Sequence, residues 1–203
     1  ISKQTGFNIE TELDRLEFDI VINTTSAGMI PQTDKLPIEE IEEIPNLDFI
    51  NKSRITVWKG GKVHRIKGNL LHLMRGQIFN IDSTTFFTFG GGESIDKDMR
   101  IESGLWWREE EPTPQEMAEG AKNLDEVGCK VDYIITHEPP SLVKSSMLLL
   151  RGDSDRVNKL GGFFEEIGRS CEYKHWYFGS LHEDRRITPH HTCVFKKMIA
   201  IGD

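Results

Sequence analysis

Between Arg54 and Phe89 the chain breaks into short runs, RITVW, KVHRI, LLHLM, QIFNI and TTFFTF. Turn residues separate them: Gly-Gly, Gly-Asn, Arg-Gly and Asp-Ser in order. Runs this short, rich in β-branched and aromatic residues, cannot carry helices of useful length, so the stretch is predicted to be a β-meander. It ends in Gly90-Gly91-Gly92, where the backbone is free to take positive φ or to approach another group closely.

The second half alternates. Thr113-Pro114-Gln115-Glu116 is a capping box with proline at the first helical position. Met117, Ala121 and Leu124 continue an apolar face, and Gly128 stands where a C-cap glycine belongs. Val131–Thr136 is a predicted buried strand that stops at His137. A helix is predicted over about 154–167, with Val157, Leu160, Phe164 and Ile167 on one face and Gly168 at its end. HWYF (175–178) is a strand, and TCVFKKMIAI a last one. Upstream, 8–16 is a predicted amphipathic helix, 18–23 a buried strand, and Pro37 opens a short acidic helix. The composition changes near 44–53, which divides the chain into a helix–strand–helix segment, 1–44, and a larger part, 45–203.

A formal net charge of -8 over 203 residues makes a phosphate backbone a poor long-range partner, so nucleic acid is not expected. No apolar run approaches the roughly 20 residues of a membrane helix, and ISKQTGFNIE lacks the features of a secretory leader. The three cysteines, Cys129, Cys171 and Cys193, form no CxxC pair. Reduced thiols and a cytoplasmic location are the expectation.

Candidate chemistry lies at His137 and His182, each just past the carboxyl end of a predicted buried strand, where α/β sheets build their sites. A neutral imidazole is a good ligand for borderline metals. Pro139-Pro140 would stiffen the loop after His137, and Asp184 could orient the His182 ring by a hydrogen bond. The competing reading is that each is a polar loop residue. His64 and His72 are expected to face solvent from the meander, and His190-His191 to lie in a solvated loop. Glu109-Glu110-Glu111 suits the positive end of the following helix, and Trp106-Trp107 suits core or rim packing.

From about 46 to 201 the chain resembles a small calcineurin-like metallophosphoesterase. The resemblance is carried by WKGGKVHRI, LLHLMRGQIF, FFTFGGGESIDKDMR, PTPQEMAEGAKNL, VDYIITHEPP and HWYFGSLHED, in that order. It implies an α/β fold, a layered sandwich of mixed β-sheets flanked by helices, here incomplete. It also implies a site holding two divalent metals, usually Mn, Fe or Zn, in which a bridging hydroxide attacks a phosphate-ester substrate. In the family's motifs, His137 matches the strand-end histidine and His182 the second histidine of Gly-His-x-His; Ser180 stands at the first. The Asp-x-His and Gly-Asn-His motifs have no counterpart, since Glu42-Glu43-Ile44-Pro45 precedes Asn46 where the latter would fall.

A second, shorter resemblance covers about 18–38. FDIVINTTSAGM with LPI is similar to the shikimate dehydrogenase family, where this strand and loop border the nicotinamide-cofactor pocket. That family's glycine-rich phosphate loop and its lysine/aspartate pair are absent. Three functions therefore stand beside one another: a phosphoric-ester hydrolase using His137 and His182, a non-catalytic binding protein that keeps the fold, and a dehydrogenase remnant. Self-association is expected if 1–44 leave a sheet edge uncovered.

Overall fold

Two-residue reversals after Trp58 and after Ile81 set the architecture. Lys59 and Gly60 take φ of +50° and +96°, and Asp82 and Ser83 +49° and +66°. Positive φ at both central residues is the type I′ geometry, whose twist matches that of flanking antiparallel strands. Each reversal accordingly closes a tight hairpin, β1 (Arg54–Trp58) with β2 (Gly61–Lys67) and β4 (Gln77–Ile81) with β5 (Thr84–Phe89). The computed structural model describes residues 53–67, 70–93, 97–104, 106–151, 158–197 and 199–201. The expected elements at 8–16, 18–23 and from Pro37, and the boundary near 44, lie outside the described residues.

The meander is not one sheet. β3 (Leu70–Leu73) completes a three-stranded antiparallel sheet, β1-β2-β3, and the chain then leaves it. At the corner Gly76 adopts φ +70°. A Cβ on Gly76 would sit 2.7 Å from the Cα of Gly120, so only glycine permits this approach to the following helix. Asn123 Nδ2 donates to the Gly76 carbonyl at 2.7 Å and holds the corner down.

The second sheet has six strands in the order β4-β5-β6-β7-β9-β8. β6 is Tyr133–Thr136, β7 His175–Phe178, β8 Arg185–Thr188 and β9 His191–Cys193. β5, β6, β7 and β9 run parallel, while β4 and β8 are antiparallel edges. The expected last strand shortens to His191–Cys193 because the N–H groups of Phe195, Lys196 and Lys197 turn to the Asp184 carboxylate instead of continuing a ladder.

Among the described residues there are four α-helices: α1 (Lys97–Glu102), α2 (Pro114–Glu126), α3 (Ser141–Arg151) and α4 (Lys159–Ser170). α2 starts as its capping box demands. Thr113 Oγ1 accepts from the Glu116 N–H at 3.2 Å, and Glu116 Oε2 accepts from the Thr113 N–H at 2.7 Å. Gly128, at φ +67°, closes the helix. Leu124 is buried as expected, but Ala121 is exposed, and Gly120 takes the inner position against Phe87 and Phe89. α3 was not anticipated. Of the expected 154–167 helix, 154–157 lie outside the described residues; the described helix begins at Lys159, after an Asn158 cap whose Oδ1 accepts from the Gly161 N–H at 2.7 Å. It runs past Gly168 to Ser170.

The six-stranded sheet is apolar on both faces, as parallel strands covered on both sides must be. On one face Phe87, Phe89, Ile134, Trp176 and Phe178 pack against Leu124 of α2, Met147 of α3 and Phe164 of α4. Phe164 meets Trp176 edge-on, with ring centroids 5.7 Å apart and planes at 79°. On the other face Phe79, Phe86 and Ile135 meet Val63, Trp58, Leu71 and Leu73 of the smaller sheet. Among the described residues no helix is long and apolar enough to cross a membrane.

Candidate functional site

Three loops meet at the carboxyl end of β5, β6 and β7. β5 leads into Gly90-Gly91-Gly92-Glu93, β6 into His137-Glu138-Pro139-Pro140, and β7 into Gly179-Ser180-Leu181-His182. The strands are parallel neighbours, so their ends are level, and backbone bonds lock the loops together. The His137 N–H donates to the Phe89 carbonyl at 3.3 Å. The His137 carbonyl accepts from both Gly179, at 3.0 Å, and Ser180, at 2.9 Å. Main-chain pairing thus places the His137 and His182 loops side by side at one end of the sheet.

The His182 side chain is set by strain and stacking. Its φ is +52°, uncommon for a non-glycine residue, and its ring lies on Phe195 with centroids 4.9 Å apart and planes at 22°. Asp184 accepts the backbone N–H groups of Phe195, Lys196 and Lys197 at 2.8 to 3.1 Å. Burial alone would raise its carboxyl pKa, and the three N–H donors outweigh burial and hold it below the usual carboxylate range. Asp184 therefore organises the strand-breaking turn after β9.

Glu138 is the group that sequence reasoning missed. It is 3% exposed. Its Oε1 accepts the Glu93 N–H at 2.8 Å, and its Oε2 accepts Lys144 Nζ at 3.0 Å and Asn158 Nδ2 at 3.4 Å. A Cβ on Gly92 would collide with this carboxylate, so the third glycine of the triplet is there to let Glu138 in. The only signal was a lone acid wedged between His137 and Pro139-Pro140. Nearby, the Ser180 hydroxyl is buried and has no hydrogen-bond partner.

Among the described residues, His137 and His182 are the imidazoles carried on these loops. Among the described residues no three or more His, Cys, Asp or Glu converge as metal ligands do. Zinc and its neighbours take three or four protein ligands, so two imidazoles do not fit the dinuclear site that the resemblance implies. Glu138, next to His137, is turned into its pairing with Lys144, and Glu183, next to His182, pairs with Arg185 at 3.4 Å.

His175 opens β7 and His190 lies exposed in a turn, as expected, but His64, His72 and His191 depart from expectation. His64 is 5% exposed, and its Nδ1 lies 3.0 Å from Nδ1 of His72, its cross-strand partner. Burial first, then His64 and Arg75, push His72 down to about 4. His191 is no loop residue: it opens β9, stacks on Trp176 with centroids 5.8 Å apart, and is pushed down to about 4 chiefly by burial. Glu110 and Glu111 pair with Arg100 and Lys97 of α1 at 3.1 and 2.6 Å rather than serving the start of α2. Lys97 Nζ also lies 4.6 Å from the centre of the Trp106 ring.

Two clefts lie elsewhere. One of about 350 Å³ opens at the amino ends of β5 to β7, where Lys174 first and the Thr85 N–H second hold Asp132 down to about 2. The other, about 210 Å³, borders β8 and β9 and is lined by Asp184, Arg185, Arg186 and Lys197. Comparison of the chain with protein-family models, curated proteins and solved structures gave no match. The described residues form a mixed α/β fold with two sheets.

Proposed function

We propose that this chain is a metallophosphoesterase-like protein that keeps the family's layered sheets and has lost two-metal hydrolysis, leaving a non-catalytic, binding role. One observation carries the reading. His137 and His182, the residues that match the family's carboxyl-half motifs, stand on adjacent strand-end loops tied by the His137 carbonyl. The position between them that should add a third imidazole holds Ser180, whose hydroxyl is buried and unpartnered. A serine hydroxyl stays protonated at neutral pH and does not replace a histidine as a ligand for manganese, iron or zinc.

The test is hydrolysis of bis-p-nitrophenyl phosphate with added manganese, beside a His137→Ala variant. The reading expects the same background rate from both proteins and no manganese retained after gel filtration. Hydrolysis by the parent that His137→Ala abolishes would overturn it and restore a phosphoric-ester hydrolase, with further ligands drawn from outside the described residues.

A further inference from the structure

We propose that Cys129 and Cys171 are a modification site: they form a reversible intramolecular disulfide that ties the end of α2 to the end of α4. Each cysteine closes its helix. The Cys129 N–H returns to the Leu124 carbonyl at 2.8 Å, and the Cys171 N–H to the Ile167 carbonyl at 2.9 Å. The chain then runs toward β6 and β7, which are parallel neighbours, and pairs before either strand begins. The Glu172 N–H donates to the Cys129 carbonyl at 2.8 Å, and the Val131 N–H to the Glu172 carbonyl at 3.1 Å. These are the two bonds of a parallel bridge between Lys130 and Glu172. Cys129 and Cys171 sit one residue upstream of that bridged pair. The bridge holds Lys130 and Glu172 at strand spacing, about 4.8 Å, and a disulfide spans roughly 4.4–6.8 Å between Cα atoms; Cys129, at φ +51°, turns just before the bridge. The Cys129 thiol neighbours that of Cys171 and donates to Asp125 Oδ1 at 3.9 Å, and both residues are partly exposed. Cys193 is buried in the core and is placed to take no part.

The chemistry needs an oxidant, and a small disulfide such as glutathione disulfide supplies it. The Cys171 thiol is pushed up to about 12, by burial first and then by its hydrogen bond to Cys129, so it holds its proton. In the first step Cys129 gives its proton to water and attacks glutathione disulfide. One S–S bond breaks, one glutathione leaves as thiolate, and Cys129 carries the other. Cys171 next gives its proton to water, attacks the Cys129 sulfur and expels the second glutathione. Two protein thiols are oxidised and one small disulfide is reduced to two thiols; excess reduced glutathione reverses both steps.

The test is equilibration of the whole chain with glutathione disulfide, followed by intact mass, peptide mapping and a thermal scan. The expected product is lighter by two hydrogens, maps as Cys129 joined to Cys171, and leaves only Cys193 to react with maleimide after unfolding. Its melting temperature rises by about 5–10 °C. Cys171→Ser is expected to stop at a single glutathione adduct on Cys129, and Cys193→Ser to behave as the parent. Three reactive thiols after equilibration, a parent adduct that never resolves, or a bridge to Cys193 would each overturn the proposal. Because the parent chain alone decides this, a variant that fails to fold does not blur the result.

Discussion

The Glu138 carboxylate and the Lys144 ammonium lie 3.0 Å apart with 4% and 12% of their side chains exposed. Two charges held this far from water are costly to separate. Glu138 also satisfies the Glu93 N–H and Asn158, so three loops depend on one carboxylate. Lys144→Met, which leaves the acid without its cation, is expected to cost about 3–5 kcal/mol in urea unfolding. The double variant Glu138→Gln, Lys144→Met should recover part of that loss, since no bare charge remains. A single variant as stable as the parent would show that water reaches the pair.

Acid should destabilise the fold through its buried histidines. His72 titrates near 4 in the folded chain against an ordinary value of 6.5, so below 6.5 the unfolded chain binds the extra proton. Stability therefore falls as pH drops from about 6.5 and stops falling near 4. The loss expected from this group is about 1–3 kcal/mol. His72→Gln should flatten part of the slope; urea midpoints measured at pH 7, 5.5 and 4.5 decide it. His191, also held near 4, contributes a second share that His72→Gln leaves in place.

Gly76→Ala should be among the costliest single-methyl additions in the protein. The residue combines φ +70° with contact against Gly120, and both the strain and the clash act together. A loss of about 2–3 kcal/mol is expected. Thermal unfolding of Gly76→Ala beside an exposed control, Gly104→Ala, separates the clash from backbone strain, because Gly104 shares the positive φ with open space around it.

Much of this architecture was legible because local chemistry and tertiary structure agree. The capping box started α2 where it said it would, and HWYF became a strand with those bounds. The strand-end position of His137 and His182 followed from strands whose apolar runs stop abruptly. Other features had no local signature. β2 and β3 formed as strands, but Val63 and the adjacent His64 are both buried, so the face carrying His64 and His72 is not the open one that alternation implied. The tail of the last predicted strand looked extended until Asp184, eleven residues before Phe195, claimed its donors. Glu138 had no local signature because its cation, Lys144, comes from a helix that the pattern did not reveal, and its Gly92 clearance from a strand end far upstream.

The two sheets ask different things of the chain as it folds. β1, β2 and β3 are consecutive and pair in order, β1 with β2 through the tight reversal at Lys59 and Gly60. The six-stranded sheet must bring Thr85 to Asp132, 47 residues on, and then seat β7 and β9 across further helices before its aromatic layers can bury. Loop-closure entropy is spent there before any contact repays it, whereas hairpins form in about 1–10 μs. The small sheet can therefore be present early as a preformed platform, and the parallel pairing of β5, β6 and β7 sets the pace of the whole.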